Sequence, residues 1–303
     1  MQVHFGVELL RAEWTAAVAC IGTFDGVHLG HREVIRQAVS IARNREQPSI
    51  LVTFDRHPAH VLAPHKCPKA IASLQSNLAN FAELGVAVSI ILPFDQQLSQ
   101  TTAADFFERV LLDKIRASAV VVGYDFGFGF KREGDPEWLS QRIETTVVPA
   151  FEIAGLRVSS SAIRELIAKG EMGEVRSLLG RDFEVTGVVV PGQKLGRTLG
   201  YPTINLARSF DQVLPPDGVY AGYAVTDRGD FQAAISIGTR PTLEGQPRAI
   251  EAYLLDYSRG DLYGTSVTLK MSKKVRPQLR FDSLDELKSQ IAEDVSVVAQ
   301  LST

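Results

Sequence analysis

The sequence predicts an α/β domain followed by a β-barrel domain: a parallel sheet with helices on both faces, then a six-stranded antiparallel barrel with a terminal helix. In the first half, apolar runs of strand length alternate with segments of helical periodicity, which is typical of a parallel sheet covered by helices. After residue 180, six short strand-like runs are separated by glycine and proline, which is typical of a small barrel.

The first half supplies the predicted sheet elements in order. Strands are predicted at residues 18–21, 49–54, 86–92 and 119–123, and helices at 31–43, 74–84, 103–115 and 136–143. Asp135 is the expected N-cap of the last helix and Pro136 its first residue. Ligands on such sheets bind outside the carboxyl ends of the strands, so the segments after residues 21 and 123 are the candidate site loops.

The second half begins with two short helices within residues 161–179, which are predicted to break at Gly170 and Gly173. Strands are predicted at 183–190, 201–206, 218–226, 231–237, 249–256 and 266–275. Ser283 and Glu286 form a capping box ahead of a helix over 287–301. The change of pattern predicts two domains, residues 1–180 and 181–303.

Composition narrows the class of protein. The chain is 45% hydrophobic and 22% charged, which is near the average for soluble globular proteins, and its net charge of −3 argues against a general nucleic-acid binder. Two cysteines, Cys20 and Cys67, are too few for a disulfide framework and favour a reducing compartment. No apolar run approaches the roughly 20 residues of a membrane helix, and the N-terminus lacks signal-peptide features. We therefore expect a soluble cytoplasmic protein without nucleic-acid or membrane partners.

The segment 22–31, GTFDGVHLGH, is the most informative motif. His28 and His31 are three residues apart, so they share one face where a strand leads through a turn into a helix. Backbone N–H groups and the helix dipole favour an anion there, which indicates phosphate chemistry. Two alternatives stay open: the histidines cap the helix or stabilise the turn, or they bind zinc together with Asp25.

A second segment, 157–164, places three serines between Arg157 and Arg164 at a predicted helix start. Hydroxyls and guanidinium groups at a helix N-terminus again favour an anion. The alternative is a plain serine N-cap flanked by solvated arginines.

In the second half, Gly192, Gly196 and Gly200 are spaced four residues apart, and Lys194 and Arg197 add positive charge. Glycines at this spacing allow backbone to approach phosphates closely, although the segment is not a Walker loop. An exposed glycine-rich hairpin is the alternative.

Thr203 and Asn205 alternate on a predicted strand and therefore face the same side. Two neutral oxygens side by side suit Mg²⁺ that a nucleotide also binds. Glu251 lies in a strongly apolar strand, where a buried carboxylate is costly unless it has a function. An outward-facing glutamate is the alternative.

The motifs at 22–31, 53–58, 122–129 and 157–164 resemble the cytidylyltransferase-like nucleotidyltransferase superfamily. Within it, they resemble the adenylyltransferase half of the prokaryotic bifunctional riboflavin kinase/FAD synthetase family. The resemblance implies a Rossmann-like fold and transfer of AMP from ATP to FMN, giving FAD and pyrophosphate.

The motifs at 202–205, 215–221, 238–242, 276–277 and 281–282, together with Glu251, are similar to the flavokinase family. This resemblance implies a six-stranded barrel that phosphorylates riboflavin with ATP and Mg²⁺.

The two resemblances also imply residue roles. Catalytic roles are implied for His28 and His31 on the α- and β-phosphates and for Glu251 as general base, and Mg²⁺ with ATP for Thr203 and Asn205. Nucleotide contacts are implied for Gly22, Phe24, Asp25, Gly26, Asp125, Arg157, Ser160, Ser161, Arg164, Gly192, Lys194, Gly196, Arg197, Thr198, Gly200, Tyr201 and Pro202. Flavin contacts are implied for Phe54, His57, Pro58, Phe128, Arg276 and Arg280.

The expected partners are the small molecules riboflavin, FMN and ATP, and the expected state is a monomer or a weak homo-oligomer. One alternative is that a single activity is retained while the other domain only binds flavin. Gly127 keeps this open, because in the family that the chain resembles an arginine or another larger residue is common at that position. The others are a flavin-sensing or flavin-storage protein and, from a different class, a zinc hydrolase.

Overall fold

The computed structural model describes residues 1–8, 10–192, 195–238 and 248–300, with only the backbone of Leu195. The chain divides into two compact units, Met1–Ser160 and Ser161–Thr303. Lys194 and the segment 239–247, which includes most of the motif at 238–242, lie outside the described residues.

The described residues of the first unit form a six-stranded sheet whose strand pairs are all parallel. Its elements in chain order are β1 Gln2–Phe5, β2 Ala17–Ile21, α1 Leu29–Asn44, β3 Ser49–Phe54, α2 Ala59–Leu62, α3 Leu74–Glu83, β4 Val88–Leu92, α4 Gln96–Ser99, α5 Ala103–Asp105 with a π-helical continuation Phe106–Lys114, β5 Ala117–Gly123, α6 Pro136–Ser140, β6 Glu144–Val148 and the hairpin β7 Glu152–Ile153 with β8 Leu156–Arg157.

The strand order is β1-β4-β3-β2-β5-β6. After β4 the chain crosses to the other side of β2 to form β5. The direction in which strands are added to the sheet therefore reverses between β2 and β5. Cys20 of β2 is in register with Val121 of β5, and the loops that follow both strands therefore leave the same edge of the sheet side by side. A parallel sheet binds its ligands at this kind of switch point.

Helices cover both faces of the sheet, as predicted. Within β2, Val18 and Cys20 pack with α1, whereas Ala19 and Ile21 pack with the π-helical segment on the other face. Every residue of β2 is buried, which explains why the strand is a continuous apolar run. Burial also raises the pKa of the Cys20 thiol to about 12, so the thiol stays protonated at neutral pH.

The sequence prediction missed the two edge strands, β1 and β6. Most residues in them are partly or fully exposed, and β6 has the polar sequence ETTVV. An edge strand buries less surface than a central strand, so it lacks the apolar run on which the prediction relied. The predicted helix over 103–115 is present, but most of it is wound as a π-helix.

The second unit holds the barrel. Its elements, beginning with a helix whose first residue ends the first unit, are α7 Ser160–Lys169, α8 Met172–Leu179, β9 Phe183–Val190, α9 Leu195–Leu199, β10 Thr203–Ala207, β11 Gly218–Thr226, β12 Gly229–Gly238, β13 Ala249–Leu254, β14 Ser266–Pro277 and α10 Leu284–Ala299. The strands close antiparallel in the order β10-β13-β12-β11-β14-β9, which confirms the predicted six-stranded barrel.

Two of three glycines in the helical segment have the roles expected of chain breaks. Gly170 follows α7 with a φ of 82°, and Gly180 ends α8 in the left-handed conformation with a φ of 71°. The break predicted at Gly173 is wrong, because this residue lies inside α8. Nothing lies within 4 Å of a Cβ built there, so no packing demand explains the glycine.

Helix α10 packs on the outside of the barrel, where Val298 contacts the cluster around Ala221 and Leu255. The predicted capping box is present: Ser283 Oγ accepts a hydrogen bond from the Glu286 N–H at 3.2 Å, and Glu286 Oε2 accepts one from the Asp282 N–H at 3.2 Å. The helix begins at Leu284 rather than at 287.

A buried ion pair fixes α10 to β14. The Arg276 guanidinium donates two hydrogen bonds to the Asp294 carboxylate, from Nε at 2.8 Å and from Nη2 at 2.7 Å. Asp294 is only 4% exposed. Removing one partner would leave the other charge buried without compensation.

We expect Asp294→Ala to lower the free energy of unfolding of the barrel by about 3 kcal/mol, because it leaves the Arg276 guanidinium unpaired. Denaturant unfolding followed by circular dichroism measures the effect. Glu293→Ala is the matched control, since Glu293 is exposed on the same helix turn. Equal stability of the Asp294→Ala variant and the control would show that the ion pair does not stabilise the fold.

Candidate active sites

The first candidate site is the loop between β2 and α1, at the switch point of the sheet. Its backbone is strained, because Phe24 and Val27 have φ angles of 45° and 41°, whereas Gly26, at 76°, adopts a positive φ without steric cost. A left-handed conformation is costly for a β-branched residue such as Val27, which is completely buried. Strain of this kind persists only where the surrounding structure enforces it, and it is common at functional sites.

Asp25 and Gly26 attach this loop to the segment that leads into α3. The Asp25 carboxylate accepts hydrogen bonds from the Ile71 N–H at 3.0 Å and the Ala72 N–H at 3.3 Å. The Gly26 N–H donates to Asn77 Oδ1 at 3.1 Å, and a Cβ on Gly26 would lie 2.6 Å from Ile71. The structure therefore gives the Asp25 carboxylate a positioning role, which differs from the nucleotide contact that the resemblance implies.

His28 is the N-cap of α1. Its Nδ1 accepts a hydrogen bond from the His31 N–H at 3.2 Å, and the two imidazole rings stack with centroids 3.5 Å apart. Because Nδ1 is an acceptor, the proton of the neutral ring resides on Nε2. Gly30 leaves room for this ring, since a Cβ there would lie 3.2 Å from His28 Cε1.

Phe24 packs against the ring of His31. The ring is 2% exposed and makes edge contacts with His31 at 5.4 Å and with Phe81 at 5.9 Å between centroids. Gly22 packs closely on the same ring, because a Cβ there would lie 3.0 Å from Phe24 Cζ. The side chain of Phe24 thus has a packing role rather than the nucleotide contact that the resemblance implies.

The helix dipole adds to the charge preference of this site. Helix α1 has 16 residues and no acidic residue in its first turn, so its N-terminal N–H groups favour an anion. The described residues contain no group of three or more His, Cys, Asp or Glu side chains arranged to bind a metal. The zinc arrangement of Asp25 with His28 and His31 is therefore not formed.

The loop after β5 brings Asp125 and Arg157 together. Arg157 Nη2 lies 2.7 Å from Asp125 Oδ2, and the guanidinium lies 4.8 Å from the centre of the Tyr124 ring. Both charged side chains are more than half exposed, so this pair is weak and can rearrange around a ligand.

Gly127 leaves space for an arginine that the sequence prediction missed. A Cβ on Gly127 would lie 2.7 Å from Arg132 Nε and 2.8 Å from Arg132 Nη2. The guanidinium of Arg132 thus lies against the position that a side chain at 127 would take. The sequence shows two basic residues, Lys131 and Arg132, within a glycine-rich loop. This pattern does not indicate that Arg132 lies against Gly127.

Ser160 joins the second motif to the first within the first unit. Its Oγ lies 3.3 Å from the backbone oxygen of Asp25, to which it donates a hydrogen bond. The following residues of α7 belong to the second unit, where Ser161 is exposed and Arg164 is half-buried.

The predicted flavin residues of the first unit lie at the ends of β3 and β5. The Phe54 ring packs edge-on against Phe94 at 5.3 Å, and His57 Nδ1 accepts a hydrogen bond from the Ala59 N–H at 3.1 Å across Pro58. Phe128 is only 9% exposed and packs with Phe106, Phe126 and Trp138. Phe128 therefore has a packing role in this loop, and its flavin contact stays a prediction.

Asp55 orders the same segment. Partial burial raises the pKa of its carboxyl, but hydrogen bonds from the Arg56 guanidinium and the Phe94 N–H outweigh burial and hold the pKa below its usual value. The carboxylate is therefore ionised at neutral pH and connects the end of β3 to Phe94 in the segment after β4.

The second candidate site is on the outer face of the barrel. Asn205 of β10 is in register with Glu251 of β13, and Thr203 with Tyr253. Residues directly opposite on antiparallel strands share one face, so the register brings these four side chains together. Glu251 is partly exposed on this face, while its neighbours Ile250 and Ala252 face the barrel core. Its position thus corrects the expectation of a buried carboxylate.

Glycines allow the segment before β10 to fold over these residues. A Cβ on Gly192 would lie 2.3–2.6 Å from the side-chain amide of Asn205, and one on Gly196 would lie 2.3 Å from the backbone oxygen of Tyr201 and 3.4 Å from Thr203 Oγ1. Part of this segment is the short helix α9 rather than an open loop. Arg197, Thr198, Gly200 and Pro202 are exposed along it.

Tyr253 belongs to this face and was missed by the sequence prediction. Its ring packs edge-on against Tyr201, with centroids 5.3 Å apart. Burial, together with Tyr201 and Asp256, raises the pKa of its hydroxyl. Its spacing of two residues from Glu251 was an available signal, because such residues share a strand face.

The two predicted flavin arginines differ in their surroundings. The Arg276 guanidinium is held by Asp294 and lies 5.9 Å from the centre of the Phe281 ring, whereas Arg280 is exposed in the segment before α10. The structure therefore gives Arg276 an anchoring role for α10 that the sequence did not indicate.

Comparison with known proteins accounts for both units. The family model of FAD synthetase matches residues 10–162, and that of riboflavin kinase matches residues 179–302. The bifunctional riboflavin kinase/FMN adenylyltransferase of Escherichia coli K12 is 38% identical over 293 residues, which cover 94% of this chain and 93% of the relative. The chain belongs to the bifunctional riboflavin kinase/FMN adenylyltransferase family.

Other comparisons extend over the whole chain. The family member from Pseudomonas fluorescens is 36% identical over 308 residues, covering 100% of this chain and 98% of the relative. A crystal structure of a macrolide-efflux protein from Streptococcus pneumoniae, 30% identical, superposes with a TM-score of 0.91 over 100% of both chains. No helix within the described part of this chain is long and apolar enough to cross a membrane.

The position of the domain boundary stays a prediction. The contact division falls after Ser160, and the family models leave residues 163–178 between them unassigned.

We expect Gly192→Ala to displace the Asn205 side chain, because the new methyl group would overlap its amide, and to lower the free energy of unfolding by about 1–3 kcal/mol. Denaturant unfolding and the NMR shifts of the Asn205 side-chain amide measure both effects. Gly173→Ala is the matched control, since it makes the same change in open space within a helix and is expected to be neutral or slightly stabilising. An unshifted Asn205 amide in Gly192→Ala would contradict the predicted overlap.

Proposed function

We propose that this chain converts riboflavin to FMN on its barrel and FMN to FAD on its parallel sheet, with ATP as the second substrate in both steps. The observation that carries this proposal is the chemical difference between the two sites. The first offers imidazoles at a helix N-terminus, and the second offers a carboxylate beside two neutral oxygens.

Adenylyl transfer needs no general base. The FMN phosphate is already anionic at neutral pH, because a phosphomonoester has a second pKa of about 6. The protein must align this phosphate with the α-phosphorus of ATP and stabilise the charge that develops on the departing pyrophosphate. His28 Nε2, the stacked His31 ring and the N-terminus of α1 meet that need.

The remaining residues of the first site would bind the substrates. The backbone from Gly22 to Gly26 lies at the switch point, where ATP would bind, and Asp125 with Arg157 would exchange their mutual ion pair for contacts with it. Ser160, whose Oγ donates to the Asp25 backbone oxygen, would hold the triphosphate, a role that the family resemblance also implies for Ser161 and Arg164. Phe54, His57 and Pro58 would border the flavin.

Riboflavin phosphorylation does need a base, because the ribityl hydroxyl is a poor nucleophile. Glu251 would accept the hydroxyl proton as the hydroxyl oxygen forms its bond to the γ-phosphorus and ADP leaves. Its place opposite Asn205 and near the glycine segment supports this role.

Mg²⁺ fits the donor set of the second site. Thr203 and Asn205 offer neutral oxygens on one face, which suits a hard cation that also binds phosphate oxygens. When bound, the ion neutralises charge on the phosphates of ATP. We further propose that the enzyme works in the cytoplasm as a monomer or a weak homo-oligomer.

We expect His28→Asn to lower the rate of FAD formation from FMN by about 10²- to 10³-fold, while riboflavin phosphorylation stays unchanged. Asparagine can still cap α1, so this variant removes the imidazole without removing the cap. The two reactions are measured by supplying ATP with either riboflavin or FMN and separating the flavin products by chromatography. Equal loss of the two reactions would contradict the separation of the sites.

We expect Glu251→Gln to lower riboflavin phosphorylation by about 10²-fold or more, because the amide cannot accept the hydroxyl proton, while FAD formation from supplied FMN continues. Glutamine keeps the size of the side chain, and denaturant unfolding followed by circular dichroism serves as the control for folding of the barrel. Full kinase activity in this variant would exclude Glu251 as the base.

The same assays decide the single-activity alternative. If the wild-type chain forms FMN from riboflavin but no FAD from FMN, or the reverse, the inactive domain binds flavin without turnover.

A further inference from the structure

Arg132 lies in a loop that is fixed from several sides. The loop 124–134 closes on itself through reciprocal hydrogen bonds between Phe128 and Gly134, at 2.9 Å and 3.0 Å. The Phe130 N–H donates to the Thr101 oxygen at 2.8 Å, and the Glu133 carboxylate accepts from the Ala103 N–H at 2.7 Å. The loop is therefore held in one conformation against the start of α5.

This loop has a strained backbone that directs Arg132 toward β5. Gly129, Lys131 and Arg132 have φ angles of 75°, 54° and 59°. Non-glycine residues in this conformation cost energy and persist where the surroundings enforce them, often at sites of function. Two such residues in succession turn the chain so that the Arg132 side chain lies back over Gly127.

The Arg132 guanidinium keeps donors available for a ligand. Its Nη2 donates to the Asp125 backbone oxygen at 2.9 Å, while its side chain is exposed. Among the described residues, no carboxylate forms an ion pair with Arg132, and the Asp125 carboxylate is paired with Arg157. The guanidinium has five N–H donors in a planar fork that fits phosphate oxygens.

The Arg132 guanidinium lies at the edge formed by the carboxyl ends of the strands, where sheets of this kind bind ligands. The loop 124–134 follows β5, and the loop with His28 follows the neighbouring strand β2 at the same edge. Arg132 and Arg157 both lie beside Asp125: Arg132 Nη2 donates to its backbone oxygen and Arg157 pairs with its carboxylate.

We propose that Arg132 binds a phosphate group of the adenylyl-transfer substrates, and that Gly127 is small so that the guanidinium can reach it. This inference rests on the proposed adenylyl transfer. The phosphate belongs either to ATP or to FMN, and the substrate whose KM changes identifies it.

The experiment measures kcat and KM for ATP and for FMN in FAD formation with the full chain. We expect Arg132→Ala to raise the KM of one substrate about tenfold, because a charge-assisted hydrogen bond to phosphate is lost. Arg132→Lys restores part of the affinity, since lysine keeps the charge but not the planar fork. Lys131→Ala is the matched control: it removes the same charge from the neighbouring residue, whose ammonium lies over the Phe130 ring instead.

A double-mutant cycle tests the part played by Gly127. Gly127→Ala places a methyl group where the guanidinium lies, so it should raise the same KM as Arg132→Ala. The double variant should add little to either single change, because both disturb one contact. Circular dichroism and denaturant unfolding, measured on every variant, report whether the first unit has folded.

The possible results separate this inference from the proposed function. A raised KM in Arg132→Ala and Gly127→Ala, without a change in Lys131→Ala, supports the phosphate contact. KM values within twofold of the wild type in Arg132→Ala, or the same rise in Lys131→Ala, overturn it while the proposed function stands. A wild-type chain that forms no FAD refutes the proposed adenylyl transfer itself.

Discussion

The Asp25 carboxylate makes the hydrogen bonds on which the first site depends. By accepting from the Ile71 and Ala72 N–H groups, it holds a loop that includes a buried valine in a left-handed conformation. The loop in turn places His28 at the N-cap of α1, and the cap hydrogen bond brings the His31 ring into stacking contact. Two imidazoles thereby lie together at the N-terminus of α1, where the helix dipole favours an anion.

In the barrel, the register between β10 and β13 determines which side chains of the second site lie together. Asn205 and Glu251 now share one face of the sheet. A one-residue shift in register between β10 and β13 would place Glu251 on the other face, away from Asn205. The register is fixed because Ile250, Ala252 and Leu254 must enter the barrel core. The packing of the hydrophobic core thus decides where the Glu251 carboxylate lies. Gly192 and Gly196 have no Cβ, so their backbone can approach the side chains of Asn205 and Thr203 closely.

Several residues have structural roles that the motifs did not indicate. Phe24 and Phe128 are aromatic residues within motif segments, and both are buried against neighbouring aromatic rings. Asp25 and Arg276 carry charge, yet both are engaged in holding backbone or a helix. A residue type in a motif indicates the local chemistry, but only the contacts show whether a side chain faces a ligand or the core.

The sequence by itself determined the order of the two architectures, the strands with continuous apolar runs, the capping box at Ser283 and the placement of His28 and His31 at a helix start. These features follow from local periodicity and turn chemistry, which neighbouring residues specify. The tertiary structure alone decided the strand order β1-β4-β3-β2-β5-β6, the pairing of Asn205 with Glu251, the Arg276–Asp294 ion pair and the contact of Arg132 with Gly127. Each of these joins residues on different elements or across a loop, and their positions are fixed by the packing of the core and by backbone hydrogen bonds rather than by adjacent sequence.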